Sequence, residues 1–243
     1  MFDRKISMHR PEKGVVALET FFQKEVNQLD CGSETVVHRA DIIYPEFDRV
    51  AGGLVMKRLR HPSKDRVALE EDFEDILLQW KYIRSAMARR KKEGKDTLSI
   101  PTTIRGYKSE TEIGVIMNDL TKGGRNKIID LKKLTRSSVL VPYEEWGQIK
   151  EQILRDLRIA REEGIILTKD TYLPLDAWNV VWEEGRPCVY VVDIGQHTAF
   201  EGSAQLLKEK WRRKTDHEIL LAGESAVIAS VDAVETRYKE VDF

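Results

Sequence analysis

Asp193, Asn179 and Lys57 are polar residues that an ordinary apolar core would not explain. Asp193 follows the run Val189, Tyr190, Val191, Val192, so its carboxylate stands at the end of a strand-like segment. Gly195, two positions on, permits backbone geometry that a side chain opposes. Asn179 lies 14 positions before Asp193, and a hairpin turning at Gly185 brings the two to neighbouring ends of paired strands. A carboxylate and an amide oxygen are hard donors suited to Mg²⁺, with phosphate and water completing the shell. The plainer role for each is turn chemistry, with Asp193 capping the turn that follows it. Lys57 is an ammonium inside the apolar stretch GGLVMKRLR. Burying it alone is costly, so it must reach water along its stem or meet an anion. Glu71 and Glu74 of the next segment are the candidate partners. The plain alternative for Lys57 is the solvent face of an antiparallel sheet. Gly32, in LDCGSETVV, is either a turn glycine or a site where backbone N–H groups approach a phosphate.

The elements that must carry these groups follow from pattern. Val15–Gln28 is read as a short helix on Val16, Leu18, Phe21, Phe22 and Val26. TVVHRADIIY and GGLVMKRLR read as antiparallel strands, with Pro45 between them. Phe73, Ile76, Leu77, Trp80, Ile83 and Met87 fall on one helical stripe. Glu70, Glu71 and Asp72 are expected in its first turn, where negative charge suits the helix dipole, and Gly94 is expected to stop it. IPTTIRGY and TEIGVIMNDL read as strands joined near Lys108–Glu112. Residues 1–120 therefore make an α+β lobe with a largely antiparallel sheet. The polar, Gly-containing stretch at 121–126 is the expected lobe boundary.

Residues 121–243 read differently. Tyr143–Glu163 is a helix with Pro142 at its start, Gly164 at its end, and Trp146, Ile149, Ile153, Leu157 and Ala160 on its buried face. LPLDAWNVVWEE and RPCVYVVDIG are strands with a turn at Gly185 and Arg186. Residues 203–215 read as a helix ending in a basic run, Leu221–Val231 as an apolar segment, and TRYKEVDF as a polar end. Trp80 and Trp146 are expected in the core, Trp178 as the wall of a crevice, Trp182 against strand neighbours, and Trp211 against the lobe.

The 243 residues suffice for one large domain or two closely packed lobes. With 41% hydrophobic and 33% charged residues, the chain is not fibrous, collagen-like or mainly disordered. A net charge of -1 argues against a dedicated nucleic-acid binder. Two cysteines, Cys31 and Cys188, make no disulfide framework and fit a reducing compartment. The opening MFDRKISMHRPEKG has no apolar centre, and no run approaches the roughly 18 apolar residues of a membrane span. The expectation is a soluble cytoplasmic protein. Basic stretches at Arg89–Lys95, Lys122–Arg136 and Lys208–Lys214 are solvated helix ends and loops, or docking surfaces for an acidic protein partner.

Taken in order, these pieces resemble the protein kinase-like superfamily over roughly residues 26–200. LDCGSETVV resembles a degenerate glycine-rich loop, with Gly32 at its middle glycine. LVMK at 54–57 resembles the strand bearing the ATP-contacting lysine, Lys57, and Glu74 or Glu71 matches the glutamate that pairs with it. VIMNDL resembles the strand entering the inter-lobe hinge, with Met117 as gatekeeper and Asn118, Asp119 and Leu120 contacting adenine through the backbone. LPLDAWNVV resembles the catalytic loop, with Asn179 as a metal ligand, and DIG resembles the metal-binding triplet led by Asp193. IPTTIRG and VIMNDL are also similar to small bacterial kinase-like proteins of the PhoP regulatory network.

The resemblance implies a bilobal protein kinase-like fold with an antiparallel N-lobe sheet and a shortened, mostly helical C-lobe. It implies ATP and Mg²⁺ in an inter-lobe cleft, and transfer of the γ-phosphoryl group to a hydroxyl. The sequence departs from the family where the catalytic aspartate should stand, five positions before the asparagine, because that residue is Pro174. Asp176 is the carboxylate on the same loop, either as a replacement base or as a structural cap. Asp30 and Thr35 stand near the missing outer glycines, and no APE-like segment is visible. The alternative expectation is therefore a pseudokinase or protein-binding scaffold without phosphotransfer.

Overall fold

A computed structural model describes residues 15–17, 22–31, 35–44, 49–59, 65–102, 104–108, 113–122, 125–131, 141–167, 174–193 and 214–240. The fold is mixed α/β, with two largely antiparallel sheets and several helices. The chain forms two compact units, Met1–Leu77 with Pro101–Gly123, and Leu78–Ile100 with Gly124–Phe243. The division thus falls at Gly123–Gly124, and it also groups Leu78–Ile100 with the C-terminal part of the chain.

The first unit holds β1 (Val15–Ala17), β2 (Phe22–Cys31), β3 (Thr35–Tyr44) and β4 (Arg49–Leu59). After the first half of α1 (Arg66–Lys92) come β5 (Ile104–Lys108) and β6 (Ile113–Asn118). The strand order is β1-β5-β6-β4-β3-β2, antiparallel throughout except for β1 beside β5. The helix expected over Val15–Gln28 is instead two strands. Its apolar residues miss the helical period, and Phe22 to Cys31 gain a ladder against the β-branched residues of β3.

Two glycines let this sheet pack closely on both faces. Lys57, Val115 and Gly106 lie in one row across β4, β6 and β5. A Cβ at Gly106 would stand 2.5 Å from Leu77 Cδ1 and 2.6 Å from Phe73 Cζ, so α1 covers this face. Gly114 faces the other way, where the Tyr107 ring and the Lys57 carbonyl fill the space a Cβ would need. Met56, Ile116 and Tyr107 are fully buried.

α1 begins four residues before Glu70, because Asp65 supplies the cap: its Oδ1 accepts the Ala68 N–H at 2.9 Å. Glu70, Glu71 and Asp72 therefore lie beyond the first turn, a correction to their expected place. The stripe from Phe73 to Met87 is buried apart from a half-buried Leu77, and Gly94 follows the helix with φ of 67°.

The second unit contains β7 (Ile128–Asp130), α2 (Tyr143–Glu163), β8 (Trp178–Glu183), β9 (Arg186–Val191) and α3 (Lys214–Glu240). β8 is the centre of the antiparallel set β7-β8-β9. α2 ends in a Schellman turn: Gly164, at φ of 67°, donates to the Arg161 carbonyl, and Ile165 donates to that of Ala160. The end of α1 is tied to α2. Arg90, only 5% exposed, pairs with Glu162 and Glu163, and Tyr82 donates to the Glu163 carbonyl. Ser99 accepts the outward N–H of Val191 on edge strand β9. These bonds explain why Leu78–Ile100 groups with the second unit.

They also engage part of the basic stretch Arg89–Lys95. Arg89 and Arg90 are paired with α2 carboxylates and Lys95 with Glu93, which leaves Lys91 and Lys92 as its exposed cations outside these pairs. Residues 132–140 and 203–213, with the rest of the other two basic stretches and Trp211, lie outside the described residues. The expected apolar segment Leu221–Val231 is the middle of α3, which continues through Thr236–Glu240. α3 is joined to α2 by Arg161–Glu224 and Lys150–Glu235, and Tyr238 stacks on Trp146 while donating to the Val141 carbonyl at 2.5 Å. No helix among the described residues is long and apolar enough to cross a membrane.

The two glycines predict an ordered pair of losses. Gly106→Ala meets the ends of side chains and should cost about 1 kcal/mol, whereas Gly114→Ala meets a backbone carbonyl and should cost about 3 kcal/mol or more. Urea unfolding of both variants checks this, and equal losses would refute the close approach at Gly114.

Candidate functional site

The loop and hairpin of the second unit gather three of the candidate residues. The Trp178 N–H donates to the Leu175 carbonyl at 3.3 Å, closing a turn over residues 174–177 that carries Asp176. β8 and β9 are joined by Glu184 and Gly185, both at positive φ (51° and 80°), the backbone of a tight type I′ hairpin. Arg186 is already the first residue of β9, which corrects the expected turn by one position. The ladder pairs Trp178 with Val191 and Asn179 with Tyr190. Past its end, Val192 and Asp193 both donate their N–H to the Ala177 carbonyl, at 2.9 and 3.3 Å. Asp176 precedes that carbonyl in the chain, Asn179 follows it by two residues, and Asp193 is bonded to it. All three are half-buried.

Asp130 of β7 lies opposite Asn179, a carboxylate that the sequence pattern did not single out. Among the described residues, no group of three or more His, Cys, Asp and Glu side chains is placed to hold a metal ion. Asn179 and Asp193, the two expected metal ligands, offer one amide oxygen and one carboxylate. That set fits a Mg²⁺ ion which keeps most of its shell as phosphate and water, and does not fit a cation needing an all-protein cage.

Alternation along β8 puts Trp178, Val180 and Trp182 on the side of α2, and Asn179 on the other. Trp178 is fully buried, so it does not wall a crevice. Its indole N–H needs an acceptor, and Asp156 of α2 supplies one at 3.2 Å. Trp182 donates likewise to Glu145 at 2.9 Å, and the Gln152 amide accepts from Val189 and donates to the Pro187 carbonyl, both at 3.0 Å. One face of α2 thereby holds the hairpin along its length.

Asp156 is itself fully buried. Loss of water pushes its carboxyl up to about 7, against the opposing effects of Arg155 at 3.5 Å and the Trp178 donor. The sequence carried a signal for it: a charged residue between Ile153 and Leu157 on the stripe otherwise assigned to the core. On the opposite face, burial raises the Cys188 thiol and pushes the Tyr190 phenol up to about 12, with Glu183 adding to both.

In the first unit, Lys57 is half-buried in β4, between Val37 of β3 and Val115 of β6. Its register places it on the face that α1 covers, not on a solvent face. Glu71 and Glu74 are exposed on α1. Glu70 ties this helix to the sheet instead. It pairs with Lys108 of β5 and, at 2.7 Å, with Arg66, and these cations hold its carboxyl below the usual range.

Gly32 lies outside the described residues, in the connection between the paired strands β2 and β3. Met117 is buried in β6 opposite Val55, and Asn118 ends that strand opposite Leu54. The Asp119 N–H is committed to the Gly53 carbonyl at 2.6 Å, and its carboxylate accepts from the Thr121 N–H at 2.8 Å and hydroxyl at 2.5 Å. Asp119 thus shapes the turn that leads to buried Leu120 and to Lys122, which sits at φ of 50°.

The raised Asp156 carboxyl sets a pH dependence of stability. Its native value lies above the ordinary 3.8, so the native state keeps a proton that the unfolded chain releases. Its stabilising effect is complete at acid pH and is lost as pH rises from about 4 to about 7, by at most about 1.4 kcal/mol per pH unit. Asp156→Asn should gain stability relative to wild type as pH rises from about 4 to about 7 in urea unfolding. Parallel pH profiles for the two proteins would refute it.

Compared with known proteins, the chain matches no family model and no curated protein.

Proposed function

We propose that this protein is a kinase-like nucleotide-binding protein that takes ATP with Mg²⁺ and has a bilobal protein kinase-like architecture. The observation that carries the proposal is the convergence of Asp176, Asn179 and Asp193 about the Ala177 carbonyl. Supporting it, the meander β2–β3–β4 places Lys57 at its third strand and is followed by a long helix. β6, which carries Met117, pairs directly with that third strand.

In the proposed site Lys57 contacts the phosphates, Glu74 or Glu71 orients it, and Asn179 and Asp193 hold Mg²⁺. The ion, when bound, neutralises phosphate charge. Phosphoryl transfer relies on positioning and electrostatics more than on covalent help from the protein. Asp176 then orients or deprotonates an acceptor hydroxyl. The proposed setting is cytoplasmic, where Cys188 stays a thiol. A second reading, a pseudokinase that binds without transfer, is favoured by Pro174, which is buried and offers no acceptor where the family's base stands.

Titration calorimetry with ATP, with and without Mg²⁺, tests the proposal. A charge-assisted hydrogen bond is worth about 1.5–3 kcal/mol, so Lys57→Ala should weaken binding roughly tenfold to a hundredfold. Asp193→Ala should abolish the Mg²⁺ dependence. Wild-type protein that binds no ATP under either condition refutes the nucleotide site. Phosphotransfer that is lost in Asp176→Asn marks an enzyme, and binding without turnover marks the pseudokinase.

A further inference from the structure

We infer that Asp156 is a positioning residue: through its buried hydrogen bond to Trp178 it holds the 174–177 turn and the start of β8, and with them Asp176, Asn179 and Asp193, in one arrangement. The chain of contacts is continuous. Asp156 Oδ2 accepts from the Trp178 indole at 3.2 Å, with both residues fully buried. The Trp178 backbone N–H closes the turn on Leu175, and the Ala177 carbonyl, in the same peptide group as that N–H, receives Val192 and Asp193. The bonds that Glu145 and Gln152 of α2 make to the hairpin fall nearer the Gly185 end. Asp156 makes its contact at the end where the candidate ligands lie.

Packing alone does not call for a carboxylate in this place. A well-packed apolar pair is often as stable as buried charged groups, or more so. What the carboxylate adds is direction, because an indole has a single N–H and it points one way. Groups that orient metal ligands from behind commonly change metal affinity 10–100-fold when removed.

The test uses the full chain with Asp156→Leu, which removes the acceptor, Asp156→Asn, which keeps an oxygen acceptor, and Trp178→Phe, which removes the donor but keeps an aromatic ring. The first readout is amide hydrogen exchange. Asp156→Leu and Trp178→Phe should speed exchange at Trp178, Val192 and Asp193 by about tenfold or more with α3 unchanged, and Asp156→Asn should stay near wild type. The second readout rests on the nucleotide reading above: the Mg²⁺ requirement for ATP binding should rise roughly tenfold in the same two variants and not in Asp156→Asn.

Exchange at wild-type rates in both Asp156→Leu and Trp178→Phe overturns the inference. So does an Asp156→Asn variant as disturbed as Asp156→Leu. If Asp156→Leu does not fold, Trp178→Phe decides alone. A wild-type protein that binds no Mg²⁺–ATP sinks the nucleotide site only, and the exchange measurement still decides the positioning role.

Discussion

An indole N–H bonded to a carboxylate out of reach of water holds the hairpin of the second unit to its long helix. A carboxylate taken from water loses roughly several kcal/mol of hydration, and one hydrogen bond from a neutral donor returns only about 1.5–3 kcal/mol. The shortfall shows in the affinity of Asp156 for a proton, which rises into the neutral range. The contact also demands one rotational setting of α2. Turning the helix by a single residue, about 100°, would move Asp156, Gln152 and Glu145 off the hairpin together. Tyr238 on Val141 and Trp146 fixes the beginning of α2, and Arg90 with the Gly164 turn fixes its end.

The first unit meets a different constraint, one of space. Its sheet is covered by α1 on one face, and Tyr107 fills a tight gap on the other. Both approaches depend on a missing Cβ, at Gly106 for the helix and at Gly114 for the ring. Lys57 stands in the same row as Gly106, so the surface that admits Phe73 and Leu77 also bounds the space open to its ammonium. Desolvation on such a face favours a cation that finds an anion.

Much of this was legible in advance wherever a local rule and a tertiary need agreed. Tyr143–Glu163 begins after Pro142 and ends at Gly164 because backbone chemistry alone places those limits, and its apolar stripe is the buried face. The hairpin that brings Asn179 and Asp193 to one end was readable from Gly185 and the β-branched runs beside it. Local rules misled where pairing outweighed them. Val15–Gln28 has a partial helical pattern, yet β3 offers a ladder for Phe22 onward, and hydrogen bonds to a neighbouring strand do not register in a single segment's period. The start of α1 was misjudged because three adjacent acids look like a first turn, whereas the cap that begins it is the single Asp65.

By itself, the amino-acid sequence determined the limits and buried stripe of α2 and the existence of the β8–β9 hairpin, because capping, turn conformation and side-chain alternation act over a few residues. Only the tertiary structure decided which polar groups do hidden work. Asp156 and Trp178 are 22 positions apart and meet across an interface between helix and strand. Glu70, not its neighbours Glu71 and Glu74, ties α1 to the sheet through Lys108. Arg90 is a buried clamp although it sits in a run of surface-like cations. In each case the deciding quantity is desolvation, which is set by what packs from elsewhere in the chain and leaves no mark on the spacing of residues within a segment.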